Sequence, residues 1–407
     1  MKSAGLPALL VITAFLRLSG QDLVINNVVL LTGLDAPALA HAQVVIRGKY
    51  ILKIGKDSDP VPAGATVIDG QGFCLMPGLI DCHTHVDNLE AARRVLQSGV
   101  TTVRTAGVSA YQDVSLGALS SAGIIPGPDV VAAGVYVTPQ PGETVLADPR
   151  LGALLGGIRT DEELRTIVRV NIDRGARVIK TRGTERAGLP DTDPRQQVYT
   201  ASQLRIIVDE AARKNVPVMV HAHGDEGARA AVEAGARSIE HGTFLSEQTL
   251  RLMKDKGTFL VPTLITLEDL SKPGGDYDHA VLEMRGRHMI PVAENMFRKA
   301  LQIGVKVATG ADNSYTVRST SRISMECQYF VQLGMKPLQA IQSATKLAAE
   351  LLQLERITGT VEPGKEADLI LVPGNPTEDI RHLQDVLMVI SNGQVALRRI
   401  PFGLKEN

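Results

Sequence analysis

The chain has 407 residues, 44% of them hydrophobic and 21% charged. That balance suits a soluble protein with an ample core, built as one large α/β domain with an accessory domain or as two to three smaller ones. Lys and Arg total 43 against 44 for Asp and Glu, a formal net charge of −1, aromatics are 3% and tryptophan is absent, so neither the charge nor the stacking surface expected of a nucleic-acid binder is present. Cys74, Cys82 and Cys327 provide no disulfide framework and no CxxC spacing. Cys82 reads as a small buried residue rather than a ligand or nucleophile.

The first element in chain order is "MKSAGLPALLVITAFLRLSGQ". Lys2, the apolar run Leu6 to Leu18 and the small pair Ser19-Gly20 have the order of a secretory signal peptide over residues 1–20. The expectation is export; the alternative is a terminal extension of a cytoplasmic protein. The run is too short to span a bilayer well, and no later segment has transmembrane character.

From Leu23 the texture is short strands. "DLVINNVVLLTG", "AQVVIRGKYILKIGK" and "ATVIDGQGFCLMPG" alternate apolar residues between Gly, Asp and Asn, the pattern of hairpins. It returns only in "GTVEPGKEADLILVPG" and "VLMVISNGQVALR". The two ends, residues 21–77 and 359–407, therefore predict one small β-sandwich domain with residues 78–358 inserted.

The insert has another rhythm. "GLIDCHTH", "TTVRTA", "DVVAAG", "ARVIKTRG", "VPVMVHAHG", "ARSIEHG", "TFLVPTL" and "VKVATGADN" are eight apolar strands. Amphipathic helices such as "TDEELRTIVRVNIDRG" and "TASQLRIIVDEAARKN" lie between several of them. Near-continuous apolar runs mark strands buried on both faces, and eight of them alternating with helices predict a (β/α)8 TIM barrel. An open doubly wound sheet is the alternative, but no GxGxxG turn follows an early strand.

His83 and His85, Lys180, His221 and His223, His241 and Asp312 all fall at the C-terminal ends of these strands. In such a barrel those ends share the face where catalytic loops gather. His83 and His85 are two apart on one strand, so both imidazoles point to one side, as one divalent ion requires. His221 and His241, ending two further strands, strengthen the reading, because neutral imidazole is the commonest metal ligand. Lys180 as an ammonium beside cations is disfavoured by burial and like charge. Either it carries carbon dioxide as a carbamate able to join two metals, or it pairs with a carboxylate such as Glu185. Asp312 can bind metal and accept the proton of an attacking water, or cap a following helix.

"PGLIDCHTH", "VIKTRG", "VMVHAHG", "SIEHG", "TGAD" and the closing "GTVEPGKEADLILVPGNP" resemble, in order and spacing, the amidohydrolase superfamily, over about residues 21 to 400. "HAHGDEGARAAVEAGARSIEHGTFL" is most similar to its branch of Xaa-Pro dipeptidases, metal carboxypeptidases and imidazolonepropionase-like proteins. The resemblance implies that His83 and His85 bind a first metal and His221 and His241 a second. A carboxylated Lys180 would bridge both, with Asp312 as ligand and base. His223 stands where relatives often have tyrosine, and would polarise the substrate or support a ligand. Many relatives carry a glycine-rich turn with histidine after the third strand. "AAGVYVTPQPGETV" has none, leaving Tyr136 or Gln140 to take that place.

The expected activity is hydrolysis of an amide C–N bond by a hydroxide held between two divalent ions, zinc by expectation. The expected substrate is a small molecule with a free carboxylate: an N-acyl amino acid or a dipeptide, including Xaa-Pro types, with Arg182 and Arg186 available to the carboxylate. An ester, lactone or carbamate hydrolase, or a mononuclear deaminase-like or cyclic amide hydrolase, is the alternative. A homo-oligomer is compatible with the sequence. "TPQPGETV" and "SKPGGDYDHA" read as loops over the barrel mouth, and Met284, Met289 and Met296 as helix packing.

Overall fold

The structure, a computed structural model, describes residues 21–274 and 276–399. The segment read as a signal peptide lies outside the described residues. The strands in chain order are β1 Leu23–Leu30, β2 Leu39–Arg47, β3 Tyr50–Lys56, β4 Thr66–Asp69 and β5 Cys74–Pro77. Then come β6 Leu79–Thr84, β7 Val100–Thr105, β8 Asp129–Val131, β9 Ile179–Arg182, β10 Val218–Ala222, β11 Ser238–His241 and β12 Phe259–Val261. The chain closes with β13 Leu369–Val372, β14 Met388–Ser391 and β15 Gln394–Arg398.

The two chain ends share one sheet, in the order β15-β14-β13-β5-β1-β2-β3, with β4 paired to β1. The join is antiparallel, with Leu369 opposite Pro77 and Val372 opposite Cys74. The alternating apolar residues of the hairpins supply its own apolar cluster, which includes Ile25, Leu30, Val44, Ile46, Leu75, Leu369, Leu371 and Ile390.

The inserted strands are parallel, as two ladders: β6-β7-β8 and β9-β10-β11-β12. Every residue of β6, β7, β10 and β11 is buried, as strands covered on both faces must be. Val137 bridges in parallel to Thr181, Leu260 to Val307, and Thr84 to Asn313. Around these bridges Val137 N–H donates to the Lys180 carbonyl at 2.9 Å, Ala308 N–H to Leu260 at 3.0 Å and Asp312 N–H to His83 at 2.7 Å. The expected eighth strand, "VKVATGADN", is thus an extended segment held at single points rather than a regular ladder. Asp312 at φ 45° turns the backbone out of strand geometry there.

The helices follow their sequence signals. Thr160 and Glu163 form a reciprocal capping box that starts the helix Asp161–Asp173, and Thr200 and Gln203 do so for Ala201–Ala212. Their buried faces, Leu164, Ile167 and Val168, and Leu204, Ile207 and Ala211, repeat at helical spacing. Met289 and Met296 are buried on the helix Ala280–Ile303, whereas Met284 is exposed. "TPQPGETV" runs into short 3₁₀ turns at Gly142–Ala147 and Pro149–Gly156.

One backbone approach fixes the end of β9, the strand that carries Lys180. A Cβ on Gly227 would lie 2.5 Å from the Gly183 carbonyl oxygen, and one on Gly183 would lie 2.6 Å from that of Gly227. Gly227→Ala is therefore expected to lower stability by about 1–3 kcal/mol through overpacking. Urea denaturation measures this, and an unchanged midpoint would contradict the close approach.

Candidate active site and metal centre

The strand ends place His83, His85, Tyr136, Lys180, His221, His223, His241 and Asp312 around one chamber of about 130 Å³. His241 is central: its ring centroid lies 4.6 Å from that of His221, 4.7 Å from His223 and 5.0 Å from His83. Within the chamber, two groups of described residues have the spacing a metal needs, His221 with His223 and His241, and His83 with His241 and Asp312, the ligand atoms of each group lying within 4.8 Å of one another; a third such group, Asp129 with Glu366 and Asp368, lies outside it.

Each imidazole is oriented from behind. His83 Nδ1 meets Glu240 Oε2 at 2.8 Å, His85 Nδ1 donates to the Gly107 carbonyl at 3.0 Å, and His221 Nε2 donates to the Glu185 carbonyl at 3.0 Å. His223 Nδ1 and His241 Nδ1 meet the hydroxyls of Thr243 and Thr263 at 2.9 and 2.7 Å. Such partners choose which ring nitrogen stays free for a metal. The free Nε2 of His83 lies 3.3 Å from Asp312 Oδ1 and 3.4 Å from Lys180 Nζ, and that of His85 lies 3.3 Å from the same Asp312 oxygen.

Burial decides the protonation states. It pushes His83 down to about 4 and His223 to about 3, and it holds His221 and His241 well below the usual histidine value. These four imidazoles are neutral near pH 7, as ligands must be. Burial also brings Lys180 down to about 8, with Glu240 and Asp312 pulling the other way. Burial would raise Asp312, but His83, His85 and Lys180 outweigh it and keep the carboxyl below its ordinary range. Neutral imidazoles, a carboxylate and a readily deprotonated amine form a donor set that fits divalent metal.

The geometry sorts several of the residues named from the sequence. Glu185 pairs with Arg182 at 2.7 Å, so it is not the partner of Lys180. No helix starts after Asp312 until Ile323–Gln332, so Asp312 is no helix cap. Arg182, expected at the substrate, is turned to Glu185 and does not line the chamber; Arg186, four residues on, does. Gln140 does not line it, whereas Tyr136 does, with Lys180 Nζ 5.8 Å from its ring centre. Cys82 is buried, and burial raises its thiol. His41 pairs with exposed Asp57, and His279 caps the helix Ala280–Ile303.

Arg104 and Glu240 were not singled out in the sequence. Arg104, 2% exposed, donates through Nε to the Cys82 carbonyl at 2.6 Å, through Nη1 to Ser238 Oγ at 3.0 Å and through Nη2 to Glu240 Oε1 at 2.8 Å. Burial would raise Glu240, but Arg104 and His83 outweigh it and hold the carboxyl at about 2. The available signal was a charge inside each of two apolar strands, "TTVRTA" and "SIEHG", since buried charges require partners.

The amidohydrolase family model matches residues 74–396, a span that contains every group around the chamber. The chain belongs to the amidohydrolase family. Among its relatives, this amidohydrolase is 29% identical to the ochratoxinase of Aspergillus niger over 397 residues, covering 86% of this chain and 81% of that enzyme. It is similar to the crystal structure of a Xaa-Pro dipeptidase with methionine bound in its active site, at 30% identity and TM-score 0.82, covering 92% of this chain and 99% of that one. A prolidase complexed with N-methylphosphonate-L-proline is 27% identical at TM-score 0.81, covering 93% and 100%. The amidohydrolase is thus a hydrolase acting on carbon–nitrogen bonds, in the Xaa-Pro dipeptidase-like branch. No helix among the described residues is long and apolar enough to cross a membrane.

Glu240→Gln keeps the size of the side chain but weakens the hold on His83. Metal affinity, measured by chelator competition, is expected to fall about 10–100-fold. Unchanged affinity would mean that the hydrogen bond does not orient the ligand.

Proposed function

We propose that this amidohydrolase uses two divalent metal ions, zinc by donor type, to hydrolyse the amide bond of an N-acyl amino acid or a dipeptide, Xaa-Pro types included. The observation that carries the reading is the make-up of the chamber. Five strand-end histidines, Lys180 and Asp312 line it, and Arg186 is the one guanidinium among the described residues of a lining that also includes Leu267, Leu270 and Tyr277. A guanidinium suits a carboxylate, and the apolar wall suits the side chain of an amino acid. The methionine in the similar dipeptidase and the proline phosphonate in the similar prolidase are amino-acid ligands of the same chemistry.

In this reading His83 and His85 would hold one ion and His221 and His241 the other. Lys180 would add carbon dioxide as its neutral amine, release a proton to solvent, and as a carbamate supply an anionic ligand to both sites. Its lowered basicity supports that role, because only the neutral amine adds to carbon dioxide. Bound metal supplies activated water at neutral pH and polarises the acyl oxygen. Asp312, facing His83 and His85 through Oδ1, takes the proton of the attacking water and returns it to the leaving nitrogen. His223 accepts from Thr243 through Nδ1 and so presents Nε2–H to the substrate carbonyl oxygen. Arg186 and the apolar wall orient the substrate, and Tyr136 closes the chamber beside Lys180. The two parallel ladders and their bridges support reading residues 78–358 as a (β/α)8 barrel, and the terminal sheet supports a small β-sandwich beside it.

Asp312→Asn is expected to lower kcat about 10²–10⁴-fold on an N-acyl amino acid. The loss should be smaller on the matching ester, whose leaving oxygen needs less help from a proton donor. Equal rates of wild type and variant on the amide would remove Asp312 from the proton transfer. A wild type that cleaves only the ester would replace the amide reading.

A further inference from the structure

The chamber's wall beyond β9 is an arm, residues 184–197, whose base is closed by an antiparallel bridge between Thr184 and Gln197. Its tip has no regular secondary structure, yet it presents Arg186, Ala187 and Gly188 to the chamber. The tip is held by a single guanidinium from another element. Arg285, on the helix Ala280–Ile303, donates through Nη1 to the carbonyls of Ala187 at 2.5 Å and Leu189 at 2.6 Å. Through Nη2 it donates to those of Pro190 at 3.0 Å and Thr192 at 2.7 Å. Thr192 Oγ1 in turn donates to the Arg186 carbonyl at 2.5 Å, so the hold reaches the backbone of the residue that faces the substrate.

The same helix also fixes a second part of the lining. A Cβ on Gly286 would lie 2.8 Å from Ser271 N and 3.0 Å from the Leu270 carbonyl carbon, so the helix packs backbone to backbone against the end of Leu264–Leu270. Leu267 and Leu270 line the chamber from there. Tyr277, also in the lining, packs on Gly188, where an added Cβ would lie 2.6 Å from the ring. Arg285 and Gly286 are thus adjacent residues that grip two segments of the chamber's lining. A planar fork with its donors in fixed directions can hold four carbonyls where a flexible ammonium holds fewer.

We propose that Arg285 is a specificity-determining positioning residue: it holds the 187–192 tip so that Arg186 meets the substrate carboxylate at a fixed distance from the reacting amide. This rests on the reading that the substrate carries a carboxylate bound by Arg186. Arg285 itself touches neither substrate nor metal ligand. Its removal should loosen recognition of the charged end and leave the chemical step and the metal site as they are.

The test uses the metal-loaded full chain as wild type, Arg285→Met, Arg285→Lys and Arg186→Met. Each is assayed on an N-acyl amino acid and on its analogue with the carboxylate replaced by a neutral amide, with metal content and hydrogen–deuterium exchange of 187–192 alongside. Arg285→Met is expected to raise KM for the carboxylate substrate about 10–100-fold. It should change kcat less than about threefold, leave KM for the neutral analogue and metal content unchanged, and speed exchange at the tip. Arg285→Lys should recover part of the loss. Unchanged KM, or an equal rise for both substrates, while Arg186→Met abolishes the discrimination, overturns the role of Arg285 alone. Discrimination that survives Arg186→Met overturns the carboxylate reading, and this proposal with it.

Discussion

The site depends on one buried ion pair. Arg104 and Glu240 sit on β7 and β11, which belong to different ladders, and meet in the protein interior at 2.8 Å. Taking two charges out of water is costly unless each is fully hydrogen-bonded, and these are. Arg104 also holds the Cys82 carbonyl of β6 and Ser238 of β11, and Glu240 spends its other oxygen on His83 Nδ1. One guanidinium therefore ties three strands together and fixes the tautomer of a candidate ligand. Breaking such a pair from one side costs about 3–5 kcal/mol, because the remaining charge stays buried. The arrangement makes sense only if the orientation of His83 is worth that exposure to failure.

Three strained residues border the same chamber. His241 at φ 72°, Thr263 at 48° and Asp312 at 45° all adopt the left-handed backbone that side chains rarely tolerate. Each lies at or just beyond a strand end facing the chamber. Sparsely populated backbone of this kind persists where surrounding structure over-determines it, and it collects at active sites. For His241 it has a geometric use: neighbours on a strand point to opposite faces, yet Glu240 and His241 both serve the centre. The turned backbone at His241 makes that possible.

Much of this was legible in the sequence because the carriers are local. Apolar strand runs ending in His83, His85, Lys180, His221, His223, His241 and Asp312 state both the architecture and the face on which the residues gather. The meeting of the two chain ends was readable from their shared hairpin texture, and β13 pairs with β5 as that texture requires. What the sequence could not settle depends on partners far away in the chain. Arg104 and Glu240 are 136 positions apart. Whether Arg182 or Arg186 faces the substrate turns on a local pairing with Glu185 that spacing alone leaves open. The tip of the arm is ordered by Arg285, more than 90 positions downstream. The expected eighth strand is irregular because a polar "TGADN" brings Asp312 to the chamber rather than continuing a ladder.

The proposal of two ions turns on Lys180, since a carbamate there would supply an anionic ligand able to join them. The most direct measurement is the metal content per chain of protein produced with added zinc and bicarbonate, beside Lys180→Ala. About two ions per chain in the wild type, falling in the variant, is the result expected of a centre joined through Lys180. One ion per chain, unaffected by loss of the lysine, would contradict it.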